Sequence, residues 1–243
     1  MFHTVFMKNR FDFRICFFCS FSSCLFRFFK LYIVTIVTKK MTNIVDLYNM
    51  NNIAYFEKGI SFADYKAGFE QAVAEGRTSG PNQDEMYVHY TSLNLHRFNR
   101  LWKHTQIDAK LEQVIKSAPV KWKIIMLTEY WCGDAAQNIP ILQKAFDLNP
   151  NIEMRFLFRD ENLELMDRYL TNGGRSIPKM IVMDEDGNEL FNWGPRPHAA
   201  QEEMARMKAE NVEMALLIEG MQRWYNADKG QSLQAEILDF FSK

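Results

Sequence analysis

Four apolar residues in succession, Ile124-Ile125-Met126-Leu127, run into the turn Glu129-Tyr130-Trp131-Cys132-Gly133-Asp134-Ala135. A helical pattern begins at once with Ala136-Gln137-Asn138-Ile139. An unbroken apolar run of strand length suits a strand buried on both faces. The spacing predicts a strand over Lys121–Thr128 and a helix from Gly133 to about Asp147. Pro140 inside that helix removes one backbone hydrogen bond and should kink it. A cysteine at such a strand-to-helix turn lies beside unpaired N–H groups and the positive end of a helix dipole, which favour a thiolate.

Downstream, Ile152, Met154, Phe156 and Phe158 alternate as a strand. Asp160 is read as the cap of a helix to Leu170, with Leu163, Met166 and Leu170 inward. Thr171-Asn172-Gly173-Gly174 ends it. Met180–Met183 is a strand, Asp184–Asn188 a hairpin turn and Glu189–Trp193 the return strand. Gly194-Pro195-Arg196-Pro197 is a rigid break, and His198 begins a helical region. One long amphipathic helix is expected over Gln201–Gly220, with Met204, Met207, Val212, Ala215, Leu216 and Ile218 on its apolar side, and a last helix over Leu233–Phe241. The order from Lys121 is βαβαββα, an α/β arrangement.

Residues 44–118 read as helical throughout. Ser61 and Asp64 form a capping-box pattern, followed by Tyr65, Phe69, Ala72 and Val73 at helical spacing. A longer helix over about 83–103 places Met86, Tyr90, Leu93, Phe98, Leu101 and Trp102 on one broad face. Asp108 caps a short helix with Leu111, Val114 and Ile115 inward. This block holds too little apolar material to fold alone and is expected to pack on the α/β part of the chain. The organisation expected is a leader (1–40), a helical extension (41–120) and an α/β domain (121–243).

The turn Trp131-Cys132-Gly133, together with Ser176-Ile177-Pro178 before the next strand, resembles the thioredoxin family. The first piece matches the active-site turn and the second the loop whose cis-proline faces it. The resemblance implies a thioredoxin fold, Cys132 as the attacking thiol, and a substrate groove formed by Trp131, Gly133, Ile177 and Pro178. Arg175 is a candidate for a ligand carboxylate, such as that of glutathione. The family's second cysteine is replaced by Ala135, and its buried acid six residues before the first cysteine by Met126. Resolution of a mixed disulfide would need an external thiol. The resemblance therefore implies a monothiol thiol-disulfide oxidoreductase acting on protein or small-molecule thiols and disulfides. The alternative is a redox-inactive module that binds a protein or peptide. Asp134 takes the place of the usual proline. It should stabilise the helix start but raise the thiol pKa. Glu129 reads as a solvated loop residue rather than a general base.

Composition bounds the rest. Residues 1–40 carry seven Lys/Arg against Asp12 alone, and the remainder carries 22 basic against 29 acidic residues. An acidic body speaks against a nucleic-acid partner, because phosphate binding needs a basic face. The first forty residues also hold ten of the twenty Phe and Cys16, Cys19 and Cys24. Arg27 and Lys30 cut their apolar material into pieces too short to span a bilayer. A secretory leader and a start assigned too early, with Met41 the true one, both remain open. The second is preferred, and no membrane partner is expected unless the leader is made. From Met41 onward there is one cysteine, which fits a reducing cytoplasm. His89, His96 and His104 lack ligand companions and read as surface residues, so no metal is expected. Met204, Met207, Met214 and Met221 read as core.

Overall fold

The apolar run is the central strand of a four-stranded sheet. In the computed structural model, which describes residues 52–241, β1 (Trp122–Thr128) is buried at every position but Lys123. It pairs in parallel with β2 (Ile152–Phe158) and antiparallel with β3 (Lys179–Met183), which pairs antiparallel with β4 (Glu189–Trp193). The sheet order is β2-β1-β3-β4. This is the predicted thioredoxin core. The β3–β4 turn is held by Asp184, whose Oδ1 accepts from the backbone N–H groups of Asp186 and Asn188. The expected leader, its three cysteines and the start at Met41 lie outside the described residues.

The helices before the sheet share its core. Residues 52–58 are helical, and Ile60 then bridges Phe156 at the β2 edge through two backbone hydrogen bonds. In α1 (Phe62–Ala74), Ser61 Oγ accepts from the Asp64 N–H at 3.1 Å, so the predicted cap is made. Tyr65 stacks on Phe156 at 4.7 Å and Phe69 on Tyr130 at 4.5 Å. Phe98 of α2 (Glu85–His104) joins the same cluster. Two residues expected inward on α2, Met86 and Leu93, are exposed instead. Buried Thr91 and Asn94 face the fold in their place, because the chain they meet offers polar backbone and hydroxyl groups rather than an apolar surface. Asp108 caps α3 (Ala109–Ser117) through the N–H groups of Lys110 and Leu111.

α4 (Gly133–Phe146) follows β1, with Pro140 inside it. Two predicted helices differ. Between β2 and β3 there is only a 3₁₀ turn (Arg159–Glu161) and the four-residue α5 (Leu163–Met166). Leu163 and Leu170 are exposed, while Met166 is buried. Asp160 lies inside the 3₁₀ turn rather than before a helix, and its carboxylate pairs with Arg159. The expected single helix over 201–220 is two, α6 (His198–Ala209) and α7 (Met214–Asp228). Asn211 adopts a left-handed conformation between them (φ 54°), which asparagine tolerates better than most residues. The chain turns back, so Met214 and Leu216 are exposed while Met207, Leu217, Met221 and Tyr225 form a small second core. α8 (Gln231–Phe240) ends the described chain. The described residues belong to one compact unit. Among the described residues, no helix is long and apolar enough to cross a membrane.

Candidate functional site

Cys132 closes β1's exit turn and is the N-cap of α4. Its Sγ accepts from the Ala135 N–H at 3.4 Å. The thiol itself donates to the carbonyl oxygen of Ile177 at 3.3 Å. The residue is 7% exposed. Burial, and next the carboxylate of Asp134, push its pKa up to about 12; the Ala135 N–H and Arg196 oppose this without overcoming it. Removal from water thus acts against the thiolate that the helix start and its few donors favour.

Asp134, in the first turn of α4, is held from two sides. Arg196 pairs with it at 2.5 Å and Tyr225 donates to it at 2.8 Å. Arg196 arrives from the segment leaving β4, which packs on the loop before β3. Gly194 there has φ +119°, and a side chain on it would lie 2.2 Å from the Pro178 carbonyl oxygen, so only glycine fits. The Ile177–Pro178 and Gly194–Pro195 peptides are both cis.

Glu129 is fully buried, which overturns its reading as a solvated loop residue. One carboxylate oxygen accepts from the Ser79 hydroxyl and the other from the Asp160 N–H at 2.9 Å. Ser79 Oγ also accepts from the Tyr130 N–H at 2.9 Å. Burial raises the Glu129 pKa to about 7 against these hydrogen bonds, which lower it. The partner Ser79 lies fifty residues earlier in the chain, beyond any local pattern.

Trp131 is half-buried between the Arg159 guanidinium, 4.9 Å from its ring, and the edge-on ring of Tyr87 at 5.1 Å. Trp131, Cys132 and Gly133 form one wall of a cavity of about 260 Å³. Tyr87, Tyr90 and Arg97 of α2 stand on another side, and Leu217, Met221 and Gln222 of α7 close it. Ile177 and Pro178 lie behind the thiol, with the Ile177 carbonyl already engaged by it. Arg175 is not brought to this place: it is exposed and pairs with Asp167 at 2.6 Å and 2.9 Å. Sequence reasoning missed the contributions of α2 and α7. The methionines expected in the core divide: Met207 and Met221 are buried, Met204 and Met221 line the cavity, and Met214 is exposed. His89, His96 and His104 are exposed. Among the described residues no cluster of His, Cys, Asp or Glu could hold a metal ion.

A family model described as Thioredoxin matches residues 80–210, a little over half of the chain. The match starts in α2's approach, earlier than the sheet. Among solved structures, the chain is similar to an HIV epitope-scaffold protein, with a TM-score of 0.53 and 17% identity over 77% of this chain and 94% of that one. It is also similar to a protein of unknown function from Pseudomonas aeruginosa, with a TM-score of 0.47 and 19% identity over 72% of this chain and 95% of that one. At such identities the likeness concerns the fold alone. No curated protein matches the chain.

Proposed function

The chain belongs to the thioredoxin family, and from that premise we propose that it is a redox-silent member that binds a ligand noncovalently at the Trp131-Cys132-Gly133 turn. The observation that carries this reading is the state of the thiol. Its proton is held by the Ile177 carbonyl, and the position three residues on, where a resolving cysteine would stand, is Ala135. Disulfide exchange needs a thiolate to attack and a second thiol to resolve. Here burial acts against the first, and the second is missing from the position three residues on. Trp131 and Gly133 are then binding surface rather than catalytic machinery, and Ile177 holds the thiol from behind. Arg175 has no part in it. The cytoplasm is the compartment proposed, from the single cysteine after Met41.

The second reading is monothiol exchange with an external thiol such as glutathione. It is favoured by one feature, the N-cap position of Cys132 with Sγ accepting from Ala135 N–H. In that chemistry the Cys132 thiolate attacks a disulfide sulfur, the partner sulfur leaves as a thiolate, and an external thiol then releases Cys132. The rate of Cys132 alkylation against pH separates the two, with peptide mapping to read Cys16, Cys19 and Cys24 apart. Silence until well above ~8.5, the value for a free cysteine, supports the binding module. A midpoint below it replaces that reading with exchange.

A further inference from the structure

The cavity beside Cys132 contains one charge that the described protein does not answer. Three charged residues line it: Arg97, Asp134 and Arg196. Asp134 and Arg196 neutralise each other. Arg97 has no ion pair among the described residues, and its Nη1 donates at 2.7 Å to the neutral amide oxygen of Asn94. Burial and the neighbouring Arg100 both pull its pKa down, as for a cation without a counter-charge. It remains protonated nonetheless. A half-buried cation at an apolar wall is costly alone and gains most from an anion with its own apolar body.

The remaining walls suit such a body. Tyr90, Leu217, Ile218 and Met221 present rings and aliphatic groups. An extended peptide is excluded on the α7 side, since α7 is tied to the first turns of α4. Gln137 donates to Gln222 at 2.8 Å, and Asn138 donates to the Tyr225 hydroxyl at 3.2 Å. A space of about 260 Å³ is at or below the lower end of common small-molecule pockets, roughly 300–1,000 Å³. The occupant is therefore small. A guanidinium presents paired donors that match a carboxylate.

We propose that this cavity binds a medium-chain aliphatic carboxylate, its tail against Tyr90, Leu217 and Met221 and its carboxylate on Arg97. The proposal rests on the noncovalent-binding reading of the same site and names its ligand class. The test is calorimetric titration of the full chain with octanoate, with octan-1-ol as the uncharged control, and with hexanoate and decanoate as a length series. Octanoate is expected to bind with one-to-one stoichiometry and at least about tenfold more tightly than octanol, as a charge-assisted pair requires. Each added methylene should tighten binding about fourfold until the cavity is full. Arg97→Gln should abolish the preference for octanoate over octanol, whereas Arg97→Lys, which keeps the charge, should retain part of it. Equal affinity for octanoate and octanol in the unaltered protein, no dependence on chain length, or an unchanged preference in Arg97→Gln overturns the proposal. If Arg97→Gln fails to fold, Arg97→Met takes its place, and an unchanged preference in it does the same. Alkylation of Cys132 in the same preparation keeps the two readings apart. An inert thiol without octanoate binding removes the carboxylate and leaves the silent module, while a reactive thiol with octanoate bound does the reverse.

Discussion

Replacing Glu129 by glutamine should change how stability depends on pH. The carboxyl is fully buried, and its pKa is raised from 4.5 to about 7 in the folded chain. Two hydrogen bonds from Ser79 and the Asp160 N–H favour the charged form, and Arg159 favours it too, but desolvation outweighs them. The folded state therefore holds more protons than the unfolded chain between these two values. By linkage, this group's contribution is fully present below pH 4.5 and is lost as pH rises through 7. Moving a carboxyl from 4.5 to about 7 corresponds to about 3 kcal/mol. Other carboxylates titrate in the same range, so the quantity to measure is the difference between Glu129→Gln and the unaltered protein. Urea unfolding at intervals from pH 4.5 to 8.5 provides it. The variant should gain on the parent by up to about 3 kcal/mol across that range. Glutamine can still accept from the Asp160 N–H, and Ser79 can accept from its amide. A difference that stays flat with pH would refute the reasoning. A difference that turns against the variant at high pH would mean the hydrogen bonds outweigh burial, and that Glu129 is an ordinary ionised residue.

Three further substitutions test the packing and the thiol. Asp134→Asn removes the charge that, after burial, most raises the Cys132 pKa, so the onset of Cys132 alkylation should move to lower pH; an unmoved onset would leave burial as the whole cause. Phe69→Ala, in the fully buried ring stack on Tyr130, should cost about 3–5 kcal/mol in chemical denaturation; a loss below ~1 kcal/mol would mean α1 is not part of the sheet's core. Gly194→Ala places a methyl 2.2 Å from the Pro178 carbonyl oxygen at φ +119° and should lower the melting temperature by several degrees, as a loss of about 1–3 kcal/mol implies. An unchanged melting curve would contradict the close packing of that segment on the loop before β3.

Much of the fold could be read along the chain because its signals are local. The strand over Ile124–Leu127 follows from four consecutive apolar residues, the α1 start from Ser61 and Asp64, and the β3–β4 turn from Asp184 to Asn188. Where reading failed, the local signal was shared by two structures. Val212, Ala215 and Leu216 continue a helical period, and nothing in composition marks Asn211 as the residue that reverses the chain. Leu163 and Leu170 fit a helix face as well, but the 3₁₀ turn takes Arg159–Glu161 and only Leu163–Met166 is α-helical after it. The candidate site was legible only along β1's exit: Trp131, Cys132 and Gly133 do meet at one wall, with Ile177 against the thiol.

The sequence by itself determined the order of the four strands, the burial of β1, the place of the single cysteine after Met41 and the lack of a resolving thiol beside it. Each depends on residue identity or on contacts within a few positions. Tertiary structure alone decided what those residues are chemically. It buried Glu129 under Ser79, fifty positions away, and joined Asp134 to Arg196 and Tyr225, 62 and 91 positions on. It diverted Arg175 to Asp167 and left Arg97 facing an apolar wall. Protonation state and cavity shape depend on solvent exclusion and on charges brought together by folding. A linear pattern does not contain either, so the same Trp-Cys-Gly turn that signals the fold does not by itself signal a reactive thiol.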